Sequence, residues 1–463
     1  MRSPRERGVP AGLRRVVSRA SRLRHSLEEQ HGPSLALLSR VARLRHRKLI
    51  ITVVVCLSVV GALLALAQDQ QTLKIQSAHG AGDPEFPSYA AALLGVHATG
   101  GNSYTVLANG DRIFPAMLAA VNGAQRRISF ETYIYNEGTI GKQFTDAFVA
   151  AAKRGVLVQL VIDAMGSNKI PQEWRDSLLA AGVKVGEFGA PSWYTLEELN
   201  YRTHRKILTI DGKVAFTGGV GLDDQWMGNA QDEKHWRDTM VQFEGPVARL
   251  MEGAFQENFA ETLGPITPVV DPPPQIPAAP LDSAMVLRSS PTGGSNDLKR
   301  LYLLSIAAAR RTLDICSPYF LTDESTRWAL AEARRRGVRV RVLVEGDLTD
   351  ARPVKYAGRD AYQLLLDQGI EIYEYQPTMM HVKTMMVDGV WSMVGSANFD
   401  NRSLELNDEM NVAVSDRPLA ERLTQDFEQD LRSARRLDPA TWRQRSLLEK
   451  AREHFWSYFG EIF

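Results

Sequence analysis

With 463 residues, 44% of them apolar, 24% charged and 8% aromatic, the chain has the make-up of a folded protein of about three domains, which excludes wholesale disorder. Two cysteines, Cys56 and Cys316, exclude a disulfide scaffold and a multi-cysteine zinc or iron–sulfur centre. The formal charge of +1 hides an asymmetry: residues 1–48 carry +10 and the other 415 carry −9, which argues against a nucleic-acid face on the main body.

The basic segment 1–48 comes first. Its Arg14, Arg15, Arg19, Arg22 and Arg24 suit anionic headgroups, or serve only as a topology signal. Residues 49–67, LIITVVVCLSVVGALLALA, hold no charge and as a helix would span ~28 Å, close to the hydrocarbon thickness of a bilayer. Arg43, Arg45, Arg47 and Lys48 precede this run, and only Asp69 and Lys74 follow it. The asymmetry predicts a single-pass helix in the inner (cytoplasmic) membrane, with the N-terminus cytoplasmic and everything after Ala67 on the outer, periplasmic side. Ala65-Leu66-Ala67 also resembles a signal-peptidase site, so removal of the segment is the alternative.

A linker is expected over 68–100, a first domain over 101–265, a Pro-rich linker over 266–285, a second domain over 286–437 and an amphipathic segment over 438–463. The two domains repeat one another. Arg126-Arg127-Ile128 with Tyr133 answers Arg310-Arg311-Thr312 with Tyr319, and Lys153-Arg154-Gly155-Val156 answers Arg335-Arg336-Gly337-Val338. In each, an amphipathic helix (144–153; 328–336) ends at a glycine and feeds an apolar strand, the order of an α/β sheet covered by helices. The end of the chain sets Trp442, Leu448, Phe455, Trp456 and Phe459 among Arg443, Arg445, Lys450 and Arg452. It reads as an interfacial amphipathic helix or as a helix packed on its own domain.

The chemistry lies in a duplicated pattern. His204-x-Lys206 with Asp211-Gly212 and Gly218-Gly219, and His381-x-Lys383 with Asp388-Gly389 and Gly395-Ser396, both fit HxKxxxxDGxxxxxG[GS]. Asp-Gly between β-formers predicts strand, tight turn, strand. Positions i and i+2 of an extended chain face one way, so each histidine and its lysine enter one site. Lysines supply fixed positive charge to a phosphate, and a histidine serves as a nucleophile when neutral or as an acid when protonated. His204, Lys206, Asp211, His381, Lys383 and Asp388 form the candidate catalytic set, with the two aspartates as its structural, turn-forming members.

The duplicated motif resembles the phospholipase D superfamily over about residues 100–433 and, within it, the bacterial cardiolipin synthases. The closer likeness rests on Asn200-Tyr201-Arg202-Thr203, His235-Trp236-Arg237-Asp238-Thr239, Phe243-Glu244-Gly245-Pro246 and Gly395-Ser396-Ala397-Asn398-Phe399-Asp400. The resemblance implies two pseudo-symmetric α/β sandwich domains, each a mixed sheet flanked by helices, sharing one active site; the α/β body would follow the one N-terminal transmembrane helix read from residues 49–67. The membrane segment agrees with the resemblance, although this chain shows one span where many such synthases have two. The resemblance implies a covalent phosphohistidine, with neither a metal nor any other cofactor, and His204 as the nucleophile with His381 as the acid. Gly219, Ser396 and Asn398 match substrate-contacting positions. Glu409 and Asp238 match the histidine-orienting carboxylates, Asp232 being the fallback for Asp238. Gly221 stands where the first half would match Asn398, a departure from symmetric phosphate contacts.

The implied activity is membrane phosphatidyl transfer from a phospholipid to an alcohol such as phosphatidylglycerol. A hydrolytic phospholipase D is the alternative, ahead of a nuclease. The expected partners are the phospholipid membrane and substrate, without nucleic acid. Glu131 and Glu345, near strand ends, are further candidates. His25, His31 and His46 read as solvated, His235 as packing, Cys316 as a buried strand residue and Cys56 as a bilayer one.

Overall fold

The computed structural model describes residues 47–55, 57–58, 72–190, 202–264, 282–290 and 297–460. The chain divides into two compact units, Met1–Thr72 and Leu73–Phe463. In the first, residues 47–55 are helical and their apolar side chains are open, Leu49 at 60% and Ile51 at 62% exposure. Among the described residues no helix is long and apolar enough to cross a membrane. The expected span over 49–67 is thus described in its first half only; Cys56 and residues 59–67 lie outside the described residues, as do most of the basic segment and most of the Pro-rich linker.

The second unit is built on two sheets of matching order. In space, the first runs Ser103–Ala108, Thr239–Glu244, Val214–Gly218, Ile207–Ile210, Arg127–Thr132, Leu157–Asp163, Lys184–Phe188. Seven strands of the second repeat it: Ser283–Ser289, Glu409–Ser415, Trp391–Gly395, Thr384–Val387, Thr312–Cys316, Arg339–Glu345, Glu371–Tyr375. In both, the last three are parallel and the others antiparallel. The parallel strands are joined through helices such as Thr139–Lys153 and Glu324–Arg335, because parallel neighbours need a crossover. This is the helix-covered α/β sheet that the repeat implied, in the mixed form that the resemblance implied.

The burial pattern explains the layers. Strands such as Leu157–Asp163 and Thr384–Val387 are buried along nearly their whole length, so both faces of each sheet need cover. Gly110–Gly123 and Thr139–Lys153 bury Phe114, Met117, Phe144 and Phe148 on one face of the first sheet. Asp297–Ala308 and Glu324–Arg335 do the same on the second. The other faces share one core: Val161, Ile207 and Val241 join Leu343, Met386 and Val412 around Met251 and Phe255 of helix Val247–Leu263 and Leu423 and Phe427 of helix Arg417–Leu431. The halves therefore meet through packed apolar side chains.

One expected boundary is corrected. The stretch 68–100, read as a linker, contains helix Phe86–Leu94 and strand Ala98–Thr99, which pairs with Ser283–Ser289 at an edge of the second sheet. Phe86 packs edge-on to Trp391 at 5.0 Å. Its small residues are helix-packing surface: Ala81, Ala90 and Ala91 are buried in the second core.

Candidate active site

Each motif forms the expected hairpin. Ile207–Ile210 pairs with Val214–Gly218 and Thr384–Val387 with Trp391–Gly395. Asp211 and Gly212 have φ of 55° and 65°, Asp388 and Gly389 of 54° and 69°. Asp and Gly are the two central residues of a tight turn closed by Lys213 N–H on Ile210 C=O at 2.9 Å and by Val390 N–H on Val387 C=O at 3.1 Å, within three-residue loops, and Asp followed by Gly tolerates two successive positive φ values. The aspartate carboxylates then look back along the sheet. Asp211 accepts from the N–H groups of Gln125, Arg126 and Arg127 at 2.8–3.0 Å. Asp388 accepts from the N–H groups of Arg310, Arg311 and Thr312 at 2.7–2.9 Å. Asp211 and Asp388, expected as the structural, turn-forming members of the set, anchor the start of the neighbouring strand and bond neither histidine.

His204 and Lys206, and His381 and Lys383, lie just upstream of their strands, held extended by the opposite half. His204 N–H donates to Asp408 C=O at 2.8 Å, and Asp408 N–H donates to Arg202 C=O at 2.9 Å. Likewise His381 N–H donates to Arg237 C=O at 2.8 Å, and Arg237 N–H to Met379 C=O at 2.9 Å. The residues after Asp408 and Arg237 are Glu409 and Asp238, so the pairing hands each carboxylate across. His204 Nδ1 lies 2.8 Å from Glu409 Oε1, and His381 Nδ1 lies 2.8 Å from Asp238 Oδ2. The sequence identified both carboxylates; that each orients the histidine of the other half is the structure's contribution. Asp232, the fallback, instead bonds His235 at 2.7 Å on the surface.

An ionised carboxylate only accepts, so Nδ1 of His204 carries the proton and Nε2 keeps a free lone pair. Burial lowers the His204 pKa to about 4, with Lys206 and Lys383 adding to the effect against Glu409. Burial and Lys383 put His381 well below its usual value. Lys206 is pushed down to about 7 and Lys383 to about 8, burial being the main cause. Burial raises Asp238 to about 6, whereas His204 and Lys206 outweigh burial and keep Glu409 below the usual carboxylate range. The two centres differ in one contact. Lys383 Nζ donates to His381 C=O at 2.9 Å and lies 3.0 Å from its Nε2, while Lys206 Nζ donates to His204 C=O at 2.9 Å and passes over Tyr133 at 5.8 Å.

Other residues shape the walls. Gly219 allows the closest approach: a Cβ there would overlap the Asp238 carboxylate and fall 2.6 Å from His381 O. Ser396 Oγ accepts from Met410 N–H at 3.1 Å, beside Glu409. Asn398 is 5% exposed, and its Oδ1 is buried without a hydrogen-bond partner. Gly221 has Ile134 against it where a side chain would begin. Sequence reasoning missed the aromatic frame. Tyr133 stands edge-on to His204 at 5.3 Å; Trp226 and Trp236 lie 5.4 and 5.5 Å from His381. Trp226 Nε1 also donates to Asp238 at 3.0 Å. Buried Arg205, between the motif residues, donates to the carbonyls of Ala254 and Glu409. A charged side chain between His and Lys was the available signal, since the alternation turns it away from the site. Glu131 supports the segment before His204 by accepting from Asn258 at 2.7 Å and from Thr203. Glu345 is buried, which pushes its carboxyl well above the usual carboxylate range, and Cys316 is buried with its thiol pushed up.

A family model described as "Cardiolipin synthase, PLD-like domain" matches residues 117–256 and 302–431, the two halves just described. The chain belongs to the cardiolipin synthase-like branch of the phospholipase D superfamily. It is 31% identical over 360 residues to the probable cardiolipin synthase YwiE of Bacillus subtilis, covering 77% of this chain and 71% of that protein. To the cardiolipin synthase of Geobacillus kaustophilus it is 33% identical over 356 residues, covering 76% and 71%. In fold it is similar to phosphatidylserine synthase of Haemophilus influenzae, with a TM-score of 0.61 at 13% identity, covering 82% of this chain and all of that one. It is a phospholipase D-type enzyme of phospholipid synthesis.

Proposed function

We propose that this phospholipase D-type enzyme transfers a phosphatidyl group through a phosphohistidine to a second phosphatidylglycerol, making cardiolipin and glycerol. The observation that carries the reading is the crosswise pair, His204 with Glu409 and His381 with Asp238. It supplies two oriented imidazoles and two lysines for one phosphodiester. His204 Nε2, unprotonated, attacks phosphorus; the N–P bond forms as the P–O bond to the departing glycerol breaks. His381, protonated once the phosphodiester anion offsets the charge of Lys383, gives its proton to that oxygen. The acceptor hydroxyl then returns a proton to His381 while its oxygen displaces His204 Nε2 from phosphorus. The lysines hold the non-bridging oxygens through both steps. Support for His204 as nucleophile comes from its free lone pair, whereas Lys383 sits against Nε2 of His381.

Pure phosphatidylglycerol supplied to the purified enzyme is expected to give cardiolipin and glycerol, and expression in a cardiolipin-free host to restore cardiolipin. Phosphatidic acid as the sole lipid product would replace transfer by hydrolysis. The charge asymmetry about residues 49–67 supports a catalytic body on the outer side of the inner membrane. A reporter fused after Phe463 is then active outside the cytoplasm, and one active only inside would reverse the orientation.

A further inference from the structure

The C-terminal helix Leu447–Ser457 is docked the wrong way round for a surface that faces only water. It opens with a capping box between Ser446 and Glu449 and packs through a charge: Glu453, 1% exposed, accepts from Arg359 at 2.9 Å and from Arg445 at 2.7 and 2.8 Å. Its apolar side chains point outward. Leu447 is 84% exposed and Leu448 81%, with Phe455, Tyr458 and Phe459 also open. At 3.6 residues per turn, Leu447, Leu448 and Phe455 fall within a sector of about 100°, and Tyr458 and Phe459 follow in the turn that ends the helix. Burial of apolar surface would roll the helix the other way unless something else covers that face.

Beside the same helix lies a cavity of about 600 Å³ whose lining sets Arg352, Lys355, Arg436, Arg445 and Arg452 against the fewer acidic Asp347, Asp438 and Glu449. Glu374 and Glu453 neutralise Arg359, Arg435 and Arg445, Glu371 lies 3.6 Å from Arg436, and Asp347 lies 3.5 Å from Lys355. Among the described residues, Arg352 has no carboxylate partner, and Arg452 stacks on Tyr356 at 4.0 Å. Trp442, in the same wall, has a buried indole N–H without a partner among the described residues. An apolar ridge flanked by unpaired cations and a spare donor matches one occupant best: a bilayer surface whose acyl boundary takes the ridge and whose anionic headgroup enters the cavity.

We infer that helix Leu447–Ser457 and the adjoining cationic cavity form a second lipid contact, apart from the His204–His381 site, that docks the catalytic body on anionic membrane. The inference holds whichever alcohol is the acceptor.

The test uses the full chain in vesicles. Phe455→Cys, in a Cys56→Ser background where Cys316 is buried, carries an environment-sensitive fluorophore, and Leu179→Cys at an exposed helix position serves as control. In phosphatidylcholine vesicles containing phosphatidylserine, the label at 455 is expected to shift to the blue and to be quenched by doxyl lipid, and the control label to do neither. Without phosphatidylserine, or with Arg352→Glu and Arg452→Glu, the inserted fraction falls about tenfold. A label that stays in water in both compositions overturns the contact. Insertion indifferent to lipid charge overturns the headgroup site. A label buried already in detergent, with energy transfer between labelled copies, assigns the ridge to a second copy of the chain instead.

Discussion

Asp211 and Asp388 carry the motif's third letter, yet each commits its carboxylate to three backbone N–H groups at the start of the adjacent strand. Charge-assisted bonds of this kind contribute roughly 1.5–3 kcal/mol, and an Ala at positive φ adds roughly 1–2 kcal/mol of strain. Asp211→Ala is therefore expected to lower the unfolding free energy by about 3 kcal/mol, with Asp211→Asn costing less. Activity per folded molecule stays close to that of the parent, measured by denaturant melts beside turnover. A melt unchanged and turnover abolished would return the aspartate to the chemistry. The lysines behave differently. In the empty site Lys206 and Lys383 hold their protons only up to about 7 and 8, so the attraction for a phosphodiester is lost as pH rises through that window. The free-enzyme parameter kcat/KM falls there, whereas kcat falls at higher pH, because the bound anion keeps both ammonium groups charged. With His204 neutral down to about 4, the nucleophile is not the limit above about pH 5. A kcat/KM still rising beyond about pH 8 would contradict this assignment.

At the scale of elements, the hairpins were legible because Asp-Gly between apolar runs leaves little choice of turn, and the helices because their apolar spacing is regular. What the sequence could not show is which strand segment lies opposite a histidine, since that is set by long-range pairing. The bridges Thr203–Asp408 and Arg237–Met380 bring Glu409 to His204 and Asp238 to His381 across sequence separations that no local pattern encodes. The same limit hid the aromatic frame: Trp226 and Trp236 are ordinary loop residues until the fold places them against His381. Gly219 belongs to this scale. Its lack of a side chain reflects the Asp238 carboxylate pressed against it, so Gly219→Ala is expected to displace Asp238 and lower turnover at least about tenfold, more than it lowers stability. Melting and turnover measured on one preparation separate the two, and an unchanged turnover would mean that the contact is slack.

At the scale of the whole molecule, the duplication was readable from two copies of one motif, and the matched strand orders of the two sheets are its physical counterpart. The stretch 68–100 reads as a linker because alanines and glycines look like spacer, yet Phe86 packs on Trp391 and Ala81, Ala90 and Ala91 are buried in the second core. Neither half contains a complete site: each histidine depends on the other half for the carboxylate that fixes its tautomer. A charge-removing change should therefore act crosswise. Glu409→Gln, in the second half, is expected to slow attack by His204 about a hundredfold or more, and Asp238→Asn, in the first, to impair the proton transfers of His381.

The most direct measurement of the division of labour is a rapid-quench experiment on a phosphatidyl ester of nitrophenol, a leaving group that needs no proton. With His381→Ala, a burst of nitrophenol and an accumulating lipid-linked enzyme are expected, since the acceptor is no longer activated; with His204→Ala, neither. A burst on the His204 variant and none on the His381 variant would contradict the assignment of His204 as the nucleophile.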